Sequence, residues 1–181
     1  MITSLKYTHA DLLAMPDDGR RREIIDGDLF VTPSPLEKHQ LILLNLTMAL
    51  GKYLEAHPVG QFRFAPLDVI FSEHDVLEPD LLFVLNEHDE YLQDWVRGAP
   101  DLVVEILSPT TEARDRGVKM KAYARYGVGE YWIVDPAAKA IEAYRLGAEG
   151  YELAEKCRED DILRTPLLPG FALCPQSIFP R

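Results

Sequence analysis

Apolar residues recur at helical spacing in two long stretches of the chain and at strand spacing, or in short continuous runs, over most of the rest. In the first helical stretch Leu43, Leu46, Leu50 and Tyr53 form the inner stripe. The run Ser34-Pro35-Leu36-Glu37 is expected to open this helix as a capping box with proline at the first helical position, and the helix to run to about His57. The second begins near Ser108-Pro109 or Thr111 and ends at Gly127. A shorter helix through HADLLAM is capped by Thr8 and ended by PDDG. RREIIDGDLFVTP reads as a hairpin turning at Asp26-Gly27. QFRFAPLDVIF, PDLLFVL, PDLVVEILS, EYWIVDP, AIEAYRL and GYELAEK read as strands, EHDEYLQDWVRG as a polar connection with room for one helical turn, and the rest as an irregular proline-rich tail. The recurrence of PDL is too short to be a repeat. This order predicts a mixed central sheet with helices packed on it, an α/β or α+β fold, and 181 residues fit one domain spanning the chain.

One residue breaks the pattern. Leu102, Val103, Val104, Ile106 and Leu107 make an apolar run of the kind found in strands covered on both faces, yet Glu105 sits inside it. Burying an ionised carboxylate costs several kcal/mol unless it is paired, hydrogen-bonded or bound to a metal. Two aspartates offer themselves as metal co-ligands. Asp101 lies four positions away on the same strand, roughly 13 Å at about 3.3 Å per residue, too far for one ion. Asp80 lies on another strand, and neighbouring strands are about 4.8 Å apart, so Asp80 and Glu105 can share a cation if their register allows it. Two carboxylate oxygens with water completing the shell suit Mg²⁺, and Mn²⁺ as a substitute. The competing explanations are a bond from Glu105 to an arginine such as Arg114, or a half-exposed strand.

A helical wheel over 112–126 puts Lys119, Ala122, Tyr123 and Tyr126 on one stripe and Lys121 opposite, beside Arg114 and Arg125. Lys119 is therefore expected to point toward the sheet and Lys121 into solvent; the simpler alternative for Lys119 is an ion pair with Asp115 one turn earlier. From Arg114 to Arg125, the five bases Arg114, Arg116, Lys119, Lys121 and Arg125 face the single acid Asp115, a local positive stripe suited to phosphate.

Charge narrows the partners. Nineteen basic against thirty acidic residues leave a net charge of −11, so any contact with nucleic acid must rest on a local patch and is expected to be weak and salt-sensitive. Cys157 and Cys174 share no metal-ligand spacing, and two thiols fit a reducing compartment. The amino terminus MITSLKYTHADLL carries no export leader, and no apolar run is long enough to span a membrane, so a cytoplasmic protein is expected.

Asp80, Glu105 and a nearby lysine resemble the PD-(D/E)xK nucleases, the restriction-endonuclease-like superfamily. The block VVEILSPTTEARDRGVKMKAYARYGVGEYWIVDP is more specifically similar to the Uma-type family, a large bacterial family of mostly uncharacterised function, and the likeness extends from REIIDGDLFVTPSPLEKH through EYWIVDPAAKAIEAYR. It implies a restriction-endonuclease-like mixed sheet flanked by helices and a Mg²⁺-dependent endonuclease acting on DNA. Asp80 and Glu105 would hold the metal, Lys119 would orient water or stabilise the phosphorus, and Arg114, Arg116, Lys121 and Arg125 would contact nucleic acid. The chain departs from the superfamily motif where its lysine would stand, at Leu107; the matching lysine is Lys119 on the next helix, the residue the wheel selects. The likeness also draws in Glu23 and His39, whose alternatives are a surface charge beside Arg21 and Arg22 and a core histidine with one hydrogen bond. Tyr131 and Trp132 read as sheet core, His74 and His88 as solvated. Cutting both strands of a duplex with one site per chain implies a homodimer. The rival readings are a non-catalytic nucleic-acid or protein-binding module on the same fold and, ranked low, a glycosidase with paired carboxylates. On the nuclease reading, Lys119→Met is expected to impair catalysis rather than folding.

Overall fold

The computed structural model describes residues 5–180; residues 1–4, part of the stretch read as leaderless, lie outside it. Among the described residues no helix is long and apolar enough to cross a membrane. The fold is mixed α+β, and its strands form two sheets rather than the one expected. The larger contains β3 (Gly60–Phe64), β6 (Leu81–Leu85), β7 (Leu102–Ile106), β8 (Glu130–Asp135), β9 (Ala140–Gly147) and β10 (Gly150–Arg158) in the order β10-β9-β8-β7-β6-β3. The smaller contains β1 (Arg21–Ile25), β2 (Asp28–Thr32), β4 (Val69–Ser72) and β5 (Asp75–Leu77) in the order β2-β1-β5-β4. The expected single strand QFRFAPLDVIF is divided between them. Pro66, with no N–H to donate to a ladder, interrupts it, and the Ala65 N–H turns to the Asp80 carbonyl at 3.1 Å.

β7 is the centre of the larger sheet, antiparallel to β6 and parallel to β8. Strand alternation sorts its side chains. Leu102, Val104 and Ile106 join Leu81, Phe83, Trp132 and Val134 against Ile42, Leu46 and Leu50 of the long helix α2 (Glu37–Ala56) and against Leu168, Phe171 and Ile178 of the tail. On the other face Leu82, Val84, Val103, Tyr131 and Ile133 pack against Ile25, Val69 and Leu77 of the smaller sheet and against Ala122 and Tyr123. Glu105 belongs by alternation to this second face.

One expected helix start forms with its Thr8 cap and the other forms without its expected box. The short helix α1 (His9–Ala14) has the capping box, with Thr8 and Asp11 exchanging side-chain and backbone bonds. α2 has none: Leu36 stands at its cap position in an extended conformation without a side-chain bond, and the box expected from Ser34 does not form. The helix opens at Glu37 with Leu36 at its cap, which leaves Ser34 two residues outside the cap position. The crossover between β7 and β8 is helical, as the parallel pairing requires. It runs as α3 (Glu112–Arg114), a wide π turn (Asp115–Lys119) and α4 (Met120–Tyr126), ending at Gly127 in the left-handed region at φ 84°.

Candidate active site

Register brings the two carboxylates together. The antiparallel β6–β7 ladder ends at the Leu81–Val104 pair, and Asp80 and Glu105 are the next residues outward on the two segments. Asp80 reaches across the strand boundary: its Oδ2 accepts the Ile106 N–H at 2.8 Å and lies 3.0 Å from His39 Nε2, while its Oδ1 accepts from Arg21 Nη1 at 3.0 Å. Glu105 Oε1 is 2.5 Å from Lys119 Nζ and accepts the Tyr123 hydroxyl at 2.8 Å. Lys119 also lies 2.8 Å from Glu23 Oε1 and 4.0 Å from Asp115 Oδ1. The π turn makes this possible. A turn wider than the α-helical one brings residues four apart closer to a single face, so both Asp115 and Lys119 turn inward. Lys119 is 1% exposed, Glu23 1%, Glu105 3% and Asp80 4%.

Acids outnumber bases here. Glu23, Glu78, Asp80, Glu105 and Asp115 face the three strong bases Arg21, Arg114 and Lys119, which leaves two formal negative charges. Burial pushes the Glu105 carboxyl up to about 8; Lys119 opposes this, while Asp115, Asp80 and Glu23 add to it. Against the burial that would lower it, Glu105, Glu23 and Asp115 hold Lys119 charged. Burial drives the first shift, and the several carboxylates around a single ammonium drive the second. Asp80 goes the other way, to about 2, because the His39 hydrogen bond, Arg21 and the Ile106 N–H outweigh its burial. Glu78, beside Arg21 Nε at 2.7 Å, is raised to about 7 by burial, with Glu23 and Asp68 contributing.

Arg21, Glu23, His39, Asp80, Glu105, Asp115 and Lys119 form the floor of a cavity of about 600 Å³. Its walls come from the β1–β2 hairpin, the 33–39 segment that leads into α2, the end of β7 with the following loop, the 112–119 helical stretch and the turn after β8.

Residues 9–176 match the family described as "Putative restriction endonuclease", Uma2. The chain belongs to the Uma2 family. A protein of Synechocystis, named only as uncharacterized, is 26% identical over 134 residues, 72% of this chain and 68% of that protein. In three dimensions the Uma2 chain is similar to an Anabaena variabilis protein described as "a putative nuclease belonging to DUF820", with a TM-score of 0.78 over 95% of this chain and 97% of that one, at 21% identity. At that identity the likeness concerns the fold.

Within the Uma2 chain, Asp80, Glu105, Lys119, Glu23 and His39 all line the one cavity. Glu23 is no surface charge; it accepts the Glu78 N–H at 2.9 Å and pairs with Lys119. Arg114 does not serve Glu105. Its Nη2 donates to Thr32 Oγ1 at 2.7 Å and stands 3.6 Å from Glu23, on the cavity wall rather than beside Lys121 on the outer face. The outer stripe is largely answered within the chain: Arg116 pairs with Glu112 and Glu142, Arg125 with Asp26 and Asp75. Lys121 is exposed and, among the described residues, makes no ion pair. Asp101, excluded above by distance, accepts the Leu85 N–H at 2.8 Å and faces His88 at 2.9 Å, so His88 is paired rather than simply solvated. Arg21, Glu78 and Asp115 had not been assigned to the site. Glu78 carries the signal that exposed Glu105, an acid inside an apolar run, here DVLEPDLLFVL.

The donor set fits a small divalent cation in kind. Among the described residues Glu105 Oε2 has no hydrogen-bond partner, and the ligands offered are hard oxygens. Among the described residues no group of three or more His, Cys, Asp or Glu side chains is arranged to hold a metal. Mg²⁺, which keeps several waters and takes one or two carboxylates, does not need one.

Proposed function

We propose that this Uma2 protein is a metal-dependent endonuclease that hydrolyses phosphodiester bonds in DNA, with Asp80 and Glu105 as ligands for Mg²⁺ or Mn²⁺ and Lys119 as the catalytic lysine. The convergence of Lys119, from the helix after β7, on Glu105 of β7, next to Asp80 just before β6, carries this reading. The chemistry such an ion supplies is water activated near neutral pH and stabilisation of charge developing on a phosphate. The chain's own residues set the stage for it. The Ile106 N–H, Arg21 and His39 fix Asp80 and keep it ionised. Tyr123, which burial and Glu105 keep protonated, donates to Glu105 and orients it. Lys119 keeps its proton and presents a fixed positive charge where phosphate oxygens would gain charge.

One observation favours a second reading, a non-catalytic binding module: Arg21 and His39 already engage both Asp80 oxygens. Cleavage of labelled single- and double-stranded DNA, with Mg²⁺, with Mn²⁺ and with chelator, separates the two. The nuclease reading expects cation-dependent cutting and a loss of roughly two or more orders of magnitude in Asp80→Asn, with circular dichroism unchanged. Equal cutting by the variant overturns the ligand assignment. No cutting by folded wild type under any condition removes the nuclease reading, and DNA binding retained without cutting supports the binding module.

A further inference from the structure

The floor of the cavity is ionic and its mouth is apolar. Three separate segments meet there and each contributes proline: Pro33 and Pro35 before α2, Pro109 after β7, and Pro136 after β8. Leu36 stands beside them, 71% exposed, with no part in the core. The acids at the mouth are engaged within the chain: Arg116 takes Glu112 at 3.1 Å and lies 3.7 Å from Asp135, whose Oδ1 also accepts the Ala137 and Ala138 N–H groups at 2.9 Å. The cations of the wall are less occupied. Lys38 donates to the Pro136 carbonyl at 3.1 Å, and among the described residues the buried Nε of Arg114 has no hydrogen-bond partner, while its Nη2 is bonded to Thr32. A buried donor without a partner calls for one.

From this arrangement we infer that the site takes single-stranded rather than duplex DNA, an unstacked base lying on the proline and Leu36 collar while its phosphate descends toward Arg114 and Lys119. The inference rests on the nuclease reading and specifies its substrate. Size points the same way. A volume of about 600 Å³ is that of a small-ligand pocket, and the reacting groups lie at its floor, almost without exposure. A duplex would present only sugar and phosphate to this mouth, because its base faces are hidden by stacking, and the apolar collar would then meet nothing. A single strand offers both the anionic backbone and free base faces; single-strand sites pair a basic groove with aromatic platforms, and here the prolines and Leu36 offer an apolar surface in place of the aromatics. One strand cut at one site also removes the chemical need for a dimer.

The test is fluorescence anisotropy of a labelled oligothymidylate and of a labelled blunt duplex, in Ca²⁺ and in chelator, with wild type and Leu36→Ser. The same DNAs are then assayed for cleavage in Mg²⁺ and Mn²⁺. The strand is expected to bind at least about tenfold tighter than the duplex, and Leu36→Ser to weaken the strand severalfold while leaving the duplex unchanged, the scale of part of one stacked base. Leu36 is exposed, so the variant keeps the fold. Duplex binding equal to or tighter than strand binding, an unchanged Leu36→Ser affinity, or no binding of either DNA overturns the inference. Duplex binding and cutting as efficient as the strand's does so while leaving the nuclease reading standing. Selective strand binding without cleavage in either cation retains the inference and removes the nuclease reading.

Discussion

Replacing Lys119 by methionine keeps the length and apolar stem of the side chain and deletes one charge. Sequence reasoning alone makes this a purely catalytic change. The surroundings of Lys119 correct that expectation. The ammonium is the shared partner of Glu105 at 2.5 Å and Glu23 at 2.8 Å, with Asp115 at 4.0 Å, and all four residues are buried. Removing one member of a buried ion pair and leaving the other uncompensated costs about 3–5 kcal/mol, and here two close carboxylates lose their partner at once. Protonation limits the damage. Glu105 already sits at about 8 against an ordinary value of 4.5, and loss of the lysine raises it further. A carboxyl raised in the folded state stabilises most below its unfolded pKa and loses that contribution as pH rises through its folded value. Lys119→Met is therefore expected to lose about 3–5 kcal/mol at pH values above 8 and less near pH 5. Urea unfolding at the two pH values measures this, and adding Glu105→Gln to the variant is expected to recover more than about 1 kcal/mol at high pH. A variant as stable as wild type, or destabilised equally at both pH values and by the same amount with Glu105→Gln, would refute the buried network.

Lys121→Met, on the exposed face, is expected to leave stability and cleavage near wild type and to lower the salt dependence of DNA binding by about one phosphate contact, read from anisotropy across a salt series. Glu142 accepts from Arg116 at 2.5 Å, Lys156 at 2.6 Å and Tyr144 at 2.9 Å, and despite its burial these bonds hold it down at about 2. A depressed carboxyl stabilises above its unfolded value of 4.5 and loses that contribution as pH falls through its folded one, so the stability gap between wild type and Glu142→Gln is expected to shrink between about pH 4.5 and 2 in acid unfolding. A gap that stays constant over that range would remove the claim.

What could be read in the sequence was what depends on local pattern. The hairpin at Asp26-Gly27, the stop at Gly127 and the inward side of Lys119 follow from turn chemistry and helical period, and each stands in the structure. Glu105 was visible because a charge inside an apolar strand has no cheap explanation, and Asp101 could be set aside by strand rise alone. Long-range choices were not visible. Nothing local distinguishes one sheet from two, and the split at Pro66 only becomes a split because β3 finds β6 while β4 finds β5. The same limit hid the partners of Lys119. Glu23 resembles a surface charge until β1 packs over the helix, and Arg114 resembles a solvent-facing arginine until the π turn alters the wheel. Arg21 and Glu78 stand 57 positions apart and meet only through the pairing of β1 with β5.

The metal site is the claim on which the functional reading turns, and calorimetric titration of Mg²⁺ and Mn²⁺ into wild type and Glu105→Gln tests it without any assumption about substrate. The geometry of Asp80 and Glu105 predicts one cation bound per wild-type chain and at least about a tenfold weaker affinity after Glu105→Gln, since the unpartnered Oε2 is the ligand lost. Equal affinity in the two proteins, or no binding by folded wild type, would contradict it.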